Sequence, residues 1–205
     1  LTGPILILII SSILLALTGS LPPAAATALV VGGGAALFIS NFRRHQDKHR
    51  LLLRGHELGA TSALSVRHLG GLPFPVPTPV SLFLTPAYVR IESDYDLWQC
   101  SRSQLDKLVL ISAEQLRRLP DREIIKALAG GNSRLLSLVR ERIRRGGAQT
   151  RRAWLLFMAI RSQETEDADP EVVILSFSDR RSMQKLLQRE GLSSLVVDFL
   201  QGEAA

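Results

Sequence analysis

The side chains that could carry bond-making chemistry are few in this chain: four histidines, one cysteine and a scatter of carboxylates in 205 residues. His45 and His49 stand i, i+4 apart, with His56 close behind, and on a helix face that spacing can hold a metal ion. No cysteine or carboxylate completes the set, so solvated histidines are the simpler reading, and neither a metal nor another cofactor is expected. Cys100 has no partner for an intramolecular disulfide. Beside Trp98 in an apolar segment it reads as a packed small side chain rather than a nucleophile. Asp94, Asp96, Asp121 and Glu123 occur near turns or helix starts, where carboxylates serve as caps. The chain contains no P-loop, dinucleotide glycine fingerprint, nucleophile elbow or HExxH motif, and Gly32-Gly33-Gly34 lies in an apolar run where it serves packing. The expectation is a protein that is not an enzyme.

The strongest chemical signal is cationic. Arg134, Arg140, Arg142, Arg144, Arg145, Arg151 and Arg152 follow Arg117, Arg118, Arg122 and Lys126 with few acids between them, in a chain of net charge +6. Such a run is either a solvated helix face or a contact surface for anionic lipid headgroups or an acidic partner; near a membrane each basic residue contributes about 1 kcal/mol. Nucleic acid is disfavoured, because the aromatic side chains that stack bases make up 5% of residues, and Trp98 and Trp154 fall in expected strand cores.

The first forty-one residues carry no charged side chain and no histidine. Two apolar stretches, 4–17 and 24–40, flank Leu21-Pro22-Pro23. Runs of about 17 residues are near the lower limit for crossing a ~30 Å hydrocarbon layer. They predict a transmembrane helical hairpin over 1–41 in the cell membrane. Small residues near Leu21 have cleavage-like spacing, but no positive charge precedes the first run, which argues for anchors over a cleaved signal peptide. Arg43, Arg44, Lys48, Arg50 and Arg54 follow at once, and by the positive-inside rule they put the remainder in the cytoplasm. Ala28, Gly32 and Ala36 have small-xxx-small spacing, an expected contact with the first span, another membrane protein or a second copy.

Beyond the hairpin, 42–79 reads as a basic juxtamembrane helix to about His68 followed by a Pro-rich linker, in which four alternating prolines forbid helix. From Val80 the period changes to two. Short strands are predicted at 81–85, 88–93, 97–100 and 108–112. Ser112 to Gln115 is a capping box. A helix from Pro120 ends at Gly130-Gly131, and another places Leu135, Leu136, Val139 and Ile143 on one face. Two apolar strands at 153–160 and 171–178 form an antiparallel pair, Asp179 caps a closing helix through Met183, Leu186 and Leu187, and 192–200 is a further helical or strand-like end. The region 80–205 is thus expected to be one α+β domain.

Leu82-Phe-Leu-Thr85, Tyr88-Val-Arg-Ile91, the strand around Trp98 and Gln104-Leu-Asp-Lys-Leu-Val109 resemble the opening sheet of bacterial pleckstrin-homology-like (GRAM-like) domains. The later strand pair with Ser178-Asp179-Arg-Arg-Ser-Met-Gln-Lys-Leu-Leu187 resembles their second sheet and closing helix. The likeness implies a split β-barrel over about 80–190, with 112–145 as an inserted helical segment. It also implies a binding or scaffolding role: a membrane-anchored adaptor, assembly factor or accessory subunit. A small membrane-bound enzyme and a membrane-tethered nucleic-acid-binding regulator are the alternatives.

Overall fold

In the computed structural model of the chain the described residues are 10, 23–128, 133–146, 148–161 and 170–198. They form two compact units, one ending at Leu53 and the other beginning at Arg54.

The described part of the first unit is dominated by a helix, α1 (Pro23–Glu57), whose last turn belongs to the second unit. Among the described residues no helix is long and apolar enough to cross a membrane. This overturns the transmembrane hairpin, and with it the two-span placement in the cell membrane. α1 has length, 35 residues, but lacks apolarity. Alanines and the glycines at 32–34 carry little apolar surface, and the same helix takes in the charged stretch from Arg43 to Arg54. The first expected span, 4–17, lies outside the described residues. Val31, Phe38, Ile39 and Phe42 are exposed on α1, and the Phe38 and Phe42 rings stack at 6.2 Å.

A second correction concerns the juxtamembrane helix. It stops at Glu57 rather than running to His68: Ala60 N–H donates to Gly55 O, and Gly59 takes a positive φ of 62°, a common helix stop. The next segment is β1 (Ser62–Gly70). Leu64, Val66 and His68 alternate with Ser65 and Arg67, the period of a strand, although the leucine spacing also fits a helix.

The second unit is α+β. β1 is followed by β2 (Thr78–Leu84), β3 (Tyr88–Glu92), β4 (Leu97–Ser101) and β5 (Leu105–Ser112); then come α2 (Ala113–Arg118), α3 (Asp121–Ala127), α4 (Ser133–Arg145) and the single turn α5 (Ala148–Arg151). β6 (Trp154–Ile160), β7 (Glu171–Phe177), α6 (Arg180–Arg189) and the short β8 (Val196–Asp198) complete the order. The strands form one mixed sheet, β4-β3-β2-β1-β7-β6-β5-β8, antiparallel except where β8 joins β5. β1 pairs with β2 on one side and β7 on the other, so the two expected sheets are continuous.

Two cores lie on opposite faces of this sheet. One gathers Val66, Leu82, Ile91, Leu108, Leu156 and Leu175 under Met183 and Leu187 of α6. The other gathers Val109, Ile111, Leu155, Phe157 and Ile174 against Leu116, Ile124, Leu136, Val139 and Ile143 of the helical segment. β5, β6 and β7 are therefore buried on both faces, which is why 154–160 and 171–177 read as nearly unbroken apolar runs. Each large side chain so buried stabilises the fold by about 1.5–3 kcal/mol. The Ser112–Gln115 capping box forms as expected.

α6 is held at both ends. Asp179 accepts from the Arg181 N–H and the Ser182 hydroxyl. At the other end the Glu190 carboxylate, only 3% exposed, accepts from the Thr61 hydroxyl at 2.6 Å and from the Ser62 hydroxyl, and faces Arg102. Arg102 also donates to the carbonyls of Thr85 and Glu190. This cluster joins α6 to the start of β1 and to the β4–β5 corner.

Candidate functional site

The arginine run divides in the folded chain. Arg140 is a brace: its guanidinium donates to Leu116 O at 2.8 Å, to Leu119 O and to the Asp121 carboxylate, fastening α4 to α2 and to the start of α3. Arg144 and Arg145 both reach Glu141, at 2.6 Å each, and the hydrogen bond from Arg144 in particular holds that carboxyl below its ordinary range. Arg151 donates to Arg144 O. Arg134, Arg144, Arg145, Arg151 and Arg152 are exposed. Arg142 turns the other way and donates to Leu69 O of β1.

Arg142 thereby reaches a cleft of about 420 Å³ between the end of α4 and the sheet. The cleft lies beside the bulge in β1 between His68 and Gly70 and beside Pro77 and Pro79, which flank the first residue of β2. Its polar lining is Arg67, Arg142, Ser65, Thr150, Ser176 and Ser178. Arg67 lies opposite Ser176 in the β1–β7 register, and Ser65 is two residues away, so strand alternation gives all three the same face. Pro77 and Pro79 supply apolar walls, with Leu69 at the edge. No carboxylate lines the cleft among the described residues. The Arg67 side chain is exposed and makes no ion pair or hydrogen bond to another described residue.

Groups that could do other chemistry are disposed differently. Cys100 is buried in the core under α6, and burial, with Glu171 adding to it, pushes its thiol up to about 12, so it is protonated at neutral pH. His68 is fully buried; its Nε2 accepts from the Leu72 N–H at 3.2 Å, and its ring meets Phe74 edge-on at 5.6 Å. Burial lowers its pKa, so the neutral ring is favoured. Asp121 pairs with Arg140, while Asp94 and Asp96 lie in the exposed β3–β4 turn. Among the described residues no group of three or more His, Cys, Asp or Glu is placed to hold a metal.

Of the residues after α1's apolar half, Lys48, Arg50, His45, His49 and His56 are exposed on α1. Arg54 pairs with Glu57 at 2.9 Å and with Glu92 of β3 at 3.1 Å. Arg43 and Arg44 lie on the same helix, as do Ala28, Gly32 and Ala36.

The folded chain thus brings Arg142 together with Arg67, Ser65, Ser176 and Ser178, none of which stood out in sequence. The available signal for Arg67 was the alternation of 62–70. Compared with known proteins, the chain matches no family model and no curated protein.

Proposed function

We propose that the second unit is a non-catalytic binding module, acting as an adaptor or accessory subunit, that takes an anionic group of its partner into the cleft between β1 and α4. The observation that carries this is the lining: two guanidinium groups and four hydroxyls, with no carboxylate to neutralise them among the described residues. Arginine forks match planar and tetrahedral oxyanions. The module is of the pleckstrin-homology-like kind. In support, the strands run as a four-strand meander and a three-strand meander joined through β1 and β7, with a helix immediately after β7.

The test is titration of the full chain with polyglutamate and with heparin at several salt concentrations. Binding to at least one polymer that weakens with salt and weakens further in Arg67→Gln is the expected result. Binding to neither, or binding that Arg67→Gln leaves unchanged, overturns the proposal.

A further inference from the structure

Building on the anion-binding reading above, we infer that the cleft is a site for a phosphate monoester carrying an organic group. A carboxylate presents two oxygens, whereas a phosphate monoester presents three strong acceptors and nearly two negative charges at neutral pH. The donors facing the cleft exceed what a carboxylate can accept. Arg67 has its whole fork available among the described residues, and Arg142 commits part of its fork to Leu69 O and keeps the remainder.

The hydroxyls of Ser65, Thr150, Ser176 and Ser178 add four more donors, and none of them makes a hydrogen bond to another described residue. Ser176 is the most informative, since it is buried, 6% exposed, on the same face as Arg67. An oxyanion held between the arginines would accept from its hydroxyl.

The walls specify the other half of the ligand. Pro77 and Pro79, both exposed, offer apolar surface that a bare inorganic ion would leave uncovered. The cleft's size falls in the range of about 300–1,000 Å³ common to small-molecule sites. Arg142 comes from the helical segment and Arg67 from β1, so a ligand on both would bridge the helical layer to the sheet.

The experiment is calorimetric titration of the full chain with inorganic phosphate, phenyl phosphate and benzoate. It is accompanied by sedimentation with phosphatidylcholine vesicles with and without phosphatidic acid. Phenyl phosphate is expected to bind about tenfold more tightly than inorganic phosphate, because the ring covers apolar wall, and benzoate more weakly than either. Arg67→Gln and Thr150→Val, both at sites open to the cleft, are each expected to weaken phenyl phosphate severalfold while leaving the melting temperature of the unliganded chain near its original value.

Vesicle binding that requires phosphatidic acid and is competed by phenyl phosphate identifies a lipid headgroup as the source. Phenyl phosphate binding without vesicle binding identifies a soluble phosphate. Benzoate binding as well as phenyl phosphate, phenyl phosphate binding indifferent to both substitutions, or vesicle binding that phenyl phosphate does not compete would each overturn the inference. No small anion binding, alongside polyglutamate binding that depends on Arg67, overturns the phosphate assignment and leaves the broader anion-binding module standing.

Discussion

Replacing Glu190 by alanine should be among the most damaging single changes outside the two cores. Its carboxylate is 3% exposed and faces Arg102, which is 19% exposed, while the Thr61 and Ser62 hydroxyls donate to it. Removing one partner of a buried ion pair costs about 3–5 kcal/mol because the other charge is left behind. Arg102 keeps its bonds to the carbonyls of Thr85 and Glu190 and retains some contact with water, so the lower end, about 3 kcal/mol, is expected. At roughly 2–4 °C per kcal/mol for a chain of this size, that is a fall of about 6–12 °C. Glu190→Gln keeps an acceptor for the hydroxyls and should lose less, about 1–2 kcal/mol. The two variants also separate charge from shape by pH. Burial pushes the Glu190 carboxyl up, but the bonds from Ser62 and Thr61 and the charges of Arg102 and Arg189 outweigh it, and the folded value is lowered. The wild-type advantage over Glu190→Gln is therefore fully present above the unfolded value of roughly 4.3 and disappears as pH falls through the lower folded value. Urea unfolding followed by tryptophan fluorescence, at neutral pH and in steps toward acid, measures both effects. A loss below about 1 kcal/mol for Glu190→Ala, typical of an exposed pair, or a wild-type advantage over Glu190→Gln unchanged by pH, would refute the reasoning.

Two further outcomes follow from the β1–β2 connection and the core under α6. Gly71 has φ 94°, and a Cβ there would stand 1.9 Å from Val172 O. Gly71→Ala should therefore cost at least about 3 kcal/mol, whereas Gly59→Ala, at φ 62° with nothing within 4 Å, should cost about 1 kcal/mol; thermal melts of the two variants compare them directly. Cys100, buried with its thiol raised to about 12, should react with iodoacetamide far more slowly in the native chain than in urea at mildly alkaline pH, and rapid native labelling would contradict its placement in the core.

Strand and helix types beyond residue 80 were legible because their signals are local. The Ser112 capping box, the Asp179 cap and the 3.6-residue spacing of Leu136, Val139 and Ile143 each depend on a few neighbouring residues. β1 was not legible. Leucines at 58 and 64 extend the spacing seen at 51 and 52, and the alternation of 62–70 is partly masked by Leu69 beside the bulge. The apolar run 24–40 was misread for a related reason. Composition alone favours a membrane span there, but its alanines and glycines leave the described helix short of the apolarity a span needs. The cationic residues of α4 were legible as a group, but their roles were not, because the partners of Arg140 and Arg142 include backbone carbonyls that no side-chain pattern encodes.

The placement of the cleft follows from where the helical layer stops. α2, α3 and α4 cover one face of β5, β6 and β7, and that cover reaches β1 at its end, at Leu69 and Gly70. Ser65 and Arg67 lie four and two residues before Leu69 on the same strand, outside the apolar core on that face. Without the helical segment between β5 and β6, Arg67 would stand on an open sheet face. With it, Arg142 and Thr150 form an opposing wall. The helical segment between β5 and β6 is thus the one that completes the cleft, and the two arginines that define it come from the segment read as a juxtamembrane helix and from that helical segment. Neither segment alone contains a site; packing the second against the first creates it.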